Sequence, residues 1–228
     1  MKILAVDTAT PSCSVAVMEN GRLAAELTLD RPQTHSKHLM AMIRKVLDLC
    51  GLRPEGIEGL AVTHGPGSFT GLRIGMATVK GLAAALDRPV VTVSTLHALA
   101  SQASFFPHII CPLIDARRNE LYCSRYHRVN NELQAVSDEL VLPVEKALGG
   151  LHEPALFIGN GAVAYRRQIV EILGDKAVLA AQNANLIRAG SVAAIARNKL
   201  DRREHEDLGS LAPRYLRKSD AEINFSEK

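Results

Sequence analysis

Tryptophan is absent from the 228 residues, and five Phe and four Tyr make up the whole aromatic complement. Few rings are available on which unpaired bases could stack. Neither sign of charge prevails: 27 Lys and Arg stand against 24 Asp and Glu, a net +3, so the uniform basic face that grips a phosphate backbone is missing. Any link to RNA is expected to run through a partner. The four cysteines, Cys13, Cys50, Cys111 and Cys123, lack C-x-x-C spacing and follow no signal peptide, which reads as buried free thiols in a cytoplasmic protein. The longest uncharged run, Pro89 to Ile114, is broken by Pro107, Pro112 and several polar residues, and no membrane span is expected. None of the eight histidines forms the H-x-x-x-H pair of a helical metal site, and there is no G-x-S-x-G elbow. A metal centre and a serine-hydrolase site are therefore not expected.

What is present is ample material for a core, at 47% hydrophobic and 22% charged residues. At about 100–200 residues per domain the length suits two lobes, which we set at 1–106 and 107–228, with the last segment free to return to the first lobe. The apolar run Ile3 to Val6 ends in Asp7 and reads as a buried strand delivering a carboxylate to its end. Strands at Ser14 to Met18 and Leu23 to Leu29 follow, joined by an Asn20-Gly21 turn. The pattern then begins again: Ile109 to Ile114 closes on Asp115, and Leu121 to Val129, an Asn130-Asn131 turn and Leu133 to Leu142 follow. Two successive meanders, each opened by a strand that ends in aspartate, predict an internal duplication. Helix and strand alternate from Val144 to about Leu200, and the tail from Ser219 is polar.

Two helices stand out. Ser36 to Cys50 carries Leu39, Met40, Ile43, Val46, Leu47 and Cys50 at helical spacing, and Met42 and Leu49 widen the stripe to about half the circumference. Gly71 to Leu86 has only Arg73 and Lys80 as charges, while Ile74, Met76, Val79, Leu82 and Leu86 alternate with glycines and alanines. A helix apolar nearly all round is normally covered on more than one side. Its second cover is either a partner helix, which the small residues would admit closely, or the chain's own second lobe.

The lobes, each opened by a meander that ends in an aspartate, resemble the actin, sugar kinase and acetate kinase superfamily, which implies an α/β, two-lobe actin-like (ASKHA) fold with duplicated βββαβα units. In that superfamily the corners resemble Asp-x-Gly, where glycine lets backbone amides approach a phosphate. Here the corners are Asp7-Thr8-Ala9-Thr10 and Asp115-Ala116-Arg117, without the glycine. Asp7, Thr8, Thr10 and Asp115 are thus weak nucleotide candidates, with a strand-end carboxylate capping the corner as the plainer reading. Arg117 is either an anion contact or a salt-bridge partner. The stretch G-P-G-S-F-T-G-L-R-I-G, Gly65 to Gly75, sits just before a helix start, where anion sites form, but lacks the lysine of a Walker loop. A sharp strand-to-helix turn explains it equally well.

M-K-I-L-A-V-D-T-A-T at the start, H-S-K-H-L at His35 to Leu39, the Gly65 to Gly75 block and P-R-Y-L-R at Pro213 to Arg217 together resemble the bacterial TsaB (YeaZ) family of tRNA threonylcarbamoyladenosine biosynthesis proteins. The resemblance implies a non-catalytic subunit that binds and activates the catalytic paralogue TsaD. That enzyme transfers threonylcarbamoyl to the adenosine beside the anticodon of tRNAs reading ANN codons. It further implies a heterodimer with TsaD that the ATPase TsaE joins, a homodimer when alone, and only indirect contact with tRNA. No catalytic residue, metal or cofactor is expected of this chain itself, and ATP or ADP would enter only within the complex. Carried onto this sequence, the TsaD contact falls on the two helices above, and Leu39, Met42, Ile43, Arg73, Met76, Val79 and Lys80 are its candidate residues. The contrary expectation, an autonomous ATP-dependent phosphotransferase, would rest on Asp7 and Asp115. A metalloprotease, suggested only by the old glycoprotease-like grouping, lacks a zinc motif.

Overall fold

The computed structural model describes residues 1–31, 35–103, 106–130 and 132–217. Asn131 of the expected turn and the tail from Ser219 lie outside them. The first half runs β1 (Lys2–Asp7), β2 (Ser12–Glu19), β3 (Arg22–Asp30), α1 (His35–Leu49), β4 (Gly59–Gly65), α2 (Phe69–Leu86), β5 (Val90–Ser94) and α3 (Thr95–Ser101). The second runs β6 (Ile109–Arg117), β7 (Glu120–Cys123), β8 (Tyr126–Val129), β9 (Glu132–Ala135), β10 (Leu140–Pro143), α4 (Val144–Leu148), β11 (Ala155–Ile158), α5 (Asn160–Ala164), α6 (Arg166–Leu173), β12 (Ala177–Leu179) and α7 (Ala189–Asp201).

One plan is used twice. The first sheet has the order β3-β2-β1-β4-β5, and the second has β10-β7-β6-β11-β12 with β8 and β9 off its path. In each, three antiparallel strands are followed by two that run parallel to the first, reached over helical crossovers. The two opening aspartates share a local device as well. Asp7 Oδ1 accepts from the Ala9 amide at 3.3 Å, and Asp115 Oδ1 accepts from the Arg117 amide at 2.8 Å.

Two expected strands are each split. Leu121 to Val129 breaks into β7 and β8, and Leu133 to Leu142 into β9 and β10, so the third strand of the second meander is β10. The cause lies at Ser124 and Arg125, where side chains replace the ladder. Ser124 Oγ donates to the Ser137 carbonyl at 3.0 Å, and the Arg125 amide donates to Ser137 Oγ at 2.9 Å. The single helix expected to end at Leu173 is likewise two, α5 and α6, with Tyr165 between them.

Strands β1, β2, β4 and β5 are covered on both faces, which is why they read as largely apolar runs, whereas the edge strand β3 has no buried residue. Leu4, Val6, Val15, Val17, Leu60 and Val62 point to α1 and α2, where they meet Leu39, Ile43, Val46, Met76 and Val79. Ile3, Ala5, Ala16, Ala61 and Val91 point the other way, to Leu96 and Leu99 of α3 and to Val192, Ala193 and Ala196 of α7. Helix α7 thus belongs by packing to the first lobe, and the chain beyond it continues there. Glu206 bridges Val90, and Leu211 is buried in the core beneath α1 and α2. Ile110, Ile114 and Ile158 of the second sheet join the core that contains α3, which therefore lies between the lobes.

Helix α2 starts on a Ser68 cap, whose Oγ accepts from the Gly71 amide at 3.3 Å, and ends at Asp87 in the left-handed region, φ 52°. Its first turns lie against the end of β1 at backbone distance. Thr8 Oγ1 donates to the Gly71 carbonyl, and the Ser68 amide donates to the Ala9 carbonyl, both at 2.7 Å. A Cβ at Gly71 would collide with the Thr8 carbonyl oxygen, and one at Gly75 with Thr8 Oγ1. Both obstacles are short and backbone-anchored. Gly71→Ala is therefore expected to destabilise the fold by about 1–3 kcal/mol, despite alanine's better helix propensity. Thermal denaturation checks it, and an unchanged or raised Tm would show that the contact can relax freely.

Candidate functional site

Two regions collect the residues marked by the sequence: the outer face of α1 and α2, and the cleft between the lobes. On α1 and α2 the structure corrects most of the expected contact residues. Leu39, Met42, Ile43, Met76 and Val79 are at most 8% exposed and pack into the chain's own sheet. They lie on the helix faces that the sheet covers. Arg73 is exposed and Lys80 half-buried, so these two reach the outer face.

What remains outside is apolar and small. Ala77, Gly81, Ala84 and Ala85 are exposed, and Ile74, Thr78, Leu82 and Leu86 are partly so. These positions follow i, i+3/i+4, i+7 and form one stripe. Beyond Lys80, α2 carries no charge to its end. On α1, Met40 and Leu49 are 51% and 59% exposed. Between the helices a groove of about 180 Å³ is lined by Leu4, Met40, Ile43, Leu47, Leu82 and Leu86, with the charged Arg44 and Asp48 of α1 also on its wall. A largely apolar patch of this kind is a candidate contact surface. The missed positions were visible in the sequence as the alternation of small and large residues on α2. Its period cannot say which face the sheet takes.

The cleft is a cavity of about 430 Å³, with Ala9, Thr10, His35 and the Gly67–Thr70 turn on one side, Ile114–Arg117, Tyr122 and Asn160 on the other, and Arg214–Arg217 along it. Thr10 and Asp115 line it, whereas Asp7 and Thr8 do not. Both are sealed beneath the corner, at 0% and 1% exposed. The corner's backbone is engaged too, since the Ala9 amide donates to Asp7 and the Ala9 carbonyl accepts from Ser68. The Ala9 amide is thus drawn back to Asp7 rather than offered to an anion in the cleft. Arg117 is exposed, in the left-handed region at φ 61°, and lines the cavity with Asp115. The G-P-G-S-F-T-G stretch makes the sharp strand-to-helix turn that caps α2.

Asp7 is fully buried. Oδ1 accepts from Thr63 Oγ1 at 2.7 Å and from Ala9, but Oδ2 has no partner. Burial pushes its carboxyl up to about 7, against the opposing pull of these two hydrogen bonds. Burial, with the nearby Asp7 charge, pushes the Cys13 thiol up to about 12, so it is inert. Across from these, burial and then the Arg214 and Lys199 charges bring His64 down to about 4. Among the described residues no group of three or more His, Cys, Asp or Glu could hold a metal ion, and no helix is long and apolar enough to cross a membrane.

The raised Asp7 carboxyl makes stability depend on pH. The fold retains a proton that the unfolded chain releases above about pH 4, so the stability is fully present below that pH and lost as pH rises through about 7. The loss is on the order of 4 kcal/mol. Asp7→Asn has no carboxyl to ionise, and the decline in Tm from pH 5 to pH 8 is expected to flatten in it. An equally steep decline in the variant would place the titration elsewhere.

Comparison with known proteins bears on both regions. Residues 30–225 match the family model described as TsaD, tRNA N6-adenosine threonylcarbamoyltransferase. The tRNA threonylcarbamoyladenosine biosynthesis protein TsaB of Bacillus subtilis is 32% identical over all of this chain and 99% of its own length. That of Escherichia coli is 39% identical over 58% of this chain and 57% of its own. YeaZ from Pseudomonas aeruginosa superposes with a TM-score of 0.78 at 31% identity, over 94% of this chain and 100% of that one. At 11% identity, the ethanolamine utilization protein EutJ from Carboxydothermus hydrogenoformans superposes with a TM-score of 0.57, over 85% and 90% of the two chains, which speaks to the fold alone. The architecture is the two-lobe actin-like fold.

Proposed function

We propose that this chain, which belongs to the TsaB (YeaZ) family of tRNA threonylcarbamoyladenosine biosynthesis proteins, acts in that pathway as a non-catalytic subunit that docks on the catalytic paralogue TsaD. The outer face of α1 and α2 is its docking surface. The observation that carries this reading is the uncharged stripe of Ile74, Ala77, Thr78, Gly81, Leu82 and Ala85 beside the Met40 groove. Small residues let a second helix approach closely, and burying such a stripe removes apolar area from water at little cost in desolvated charge. Arg73 and Lys80 border the stripe and set the register of the docked helices. In the absence of TsaD the same self-complementary surface pairs two copies of the chain as a homodimer.

In the heterodimer this chain supports transfer of threonylcarbamoyl to the adenosine beside the anticodon of ANN-reading tRNAs. TsaE and tRNA join through the complex, in the cytoplasm, and ATP or ADP is bound by the assembly rather than by this chain. The buried Asp7 and Thr8 and the engaged Ala9 amide support that last point. The rival reading, an autonomous phosphotransferase, has the interlobe cavity and Asp115 in its favour. Calorimetry of the isolated chain with MgATP separates the two, since submillimolar binding lost in Asp115→Ala would favour the rival.

Gly81 offers a clean test of docking, because a side chain added there meets nothing within 4 Å in the monomer. Gly81→Arg is expected to keep the Tm of the parent or raise it slightly, and to weaken TsaD binding at least about tenfold by burying an unpaired charge at the interface. Val79→Glu, by contrast, buries a carboxylate in the core and is expected to cost about 3–5 kcal/mol. Calorimetric melting and co-purification with TsaD read both. Undiminished TsaD binding by folded Gly81→Arg would remove α2 from the docking surface.

A further inference from the structure

The segment Arg214–Arg217 is anchored in the first lobe and holds the second. The Arg214 amide donates to the His64 carbonyl at 2.8 Å, just beyond Leu211 in the core beneath α1 and α2. From that anchorage two guanidiniums cross the cleft. Arg214 Nη1 meets Glu139 Oε2 at 3.0 Å, and Arg217 Nη1 meets Glu120 Oε2 at 2.9 Å and the Ala116 carbonyl at 3.1 Å. The acceptors are partly withdrawn from water: the side chains of Glu139 and Glu120 are 11% and 32% exposed. Glu139 also receives the Ser94 hydroxyl, which adds a second first-lobe group to the same carboxylate.

Between the two arginines, Tyr215 turns back to α2. Its ring stacks on Phe69 with centroids 4.7 Å apart, and the Arg73 guanidinium lies over Phe69 at 3.9 Å. Arg73 Nε donates to the Tyr215 hydroxyl at 3.0 Å. Arg73 is one of the two charges bordering the docking stripe. A long exposed side chain ordinarily samples many rotamers, and here a ring and a hydroxyl hold it in one.

We propose that Arg214–Arg217 is an interlobe clasp, and that Tyr215 within it is a positioning residue that presets Arg73 for the docked partner. The lobes share the core around α3 on one side and face a cavity of about 430 Å³ on the other, where opening and closing would be felt most. There the chain's own arginines span them. The angle between the lobes and the arrangement of the docking face are thereby joined through one stack, Arg73 on Phe69 on Tyr215. The clasp itself stands on the isolated chain's geometry. The role of Tyr215 toward a partner rests on the docking reading above.

Hydrogen exchange of the isolated chain tests the clasp. In Arg214→Ala/Arg217→Ala, amides of Ile114–Arg117 and of Ser94–His97 are expected to exchange about tenfold faster, with β1 and α1 unchanged. Glu120→Gln/Glu139→Gln, which attacks the same pairs from the other lobe, is expected to do the same. Parental exchange in both folded variants would overturn the clasp. Tyr215 is tested by a double-mutant cycle on TsaD affinity. Tyr215→Ala and Arg73→Ala are each expected to weaken binding about three- to tenfold and together no more than Arg73→Ala alone, with Tyr215→Phe between Tyr215→Ala and the parent. Additive losses, or no loss from Tyr215→Ala, would overturn the positioning role. If Gly81→Arg also binds normally the docking reading has failed instead, while the exchange result still decides the clasp.

Discussion

The close approach of α2 to the end of β1 governs the rest of the molecule. Gly71 and Gly75 bring the helix backbone against Thr8, and the Ser68 amide reaches the Ala9 carbonyl. With the helix start pinned there, its rotation is set: Leu72, Met76, Val79 and Ala83 enter the sheet, and Ala77, Gly81, Ala84 and Ala85 are left outside. The same contact closes the corner around Asp7. A carboxylate at a strand end, which elsewhere could face a cleft, is here sealed with one oxygen unpartnered, and its proton affinity rises because ionisation in that place is costly.

The duplication was legible because each half repeats a local signal, an apolar strand that ends in aspartate and is followed by a turn. Asp7 and Asp115 prove to make the same hydrogen bond to the amide two residues on. The helix faces were legible only in part. On α2 both faces are apolar, so periodicity identifies a helix covered twice without saying which side the sheet covers. The close contact of Gly71 and Gly75 with Thr8 decides, turning Met76 and Val79 inward and leaving Ala77 and Gly81 out. The split of Leu121 to Val129 was hidden because it depends on Ser137, a hydrogen-bond partner more than ten residues away. The place of α7 on the first sheet was equally out of reach. Its Ala-rich surface packs through Val192, Ala193 and Ala196, a weak stripe that names no target. Tyr215 was part of a recognisable motif, but its stack on Phe69 spans most of the chain and leaves no local trace.

These features fit a division of labour within the pathway. A fold built around an interlobe cleft keeps that cleft, but its first corner is filled by α2 and its two sides are tied by Arg214 and Arg217. The surface proposed for interaction is the back of α1 and α2, away from the corner. On the proposed function such a chain acts by shape, offering α1 and α2 to a second protein that supplies the chemistry.

The account depends most on which surface a partner covers, and hydrogen exchange of the chain with and without TsaD measures that directly. The account predicts slowed exchange across Phe69–Leu86 and His35–Leu49, with the cleft-lining Ile114–Arg117 unchanged. Protection concentrated at Ile114–Arg117 and Thr10, with α2 exchanging as it does alone, would contradict it.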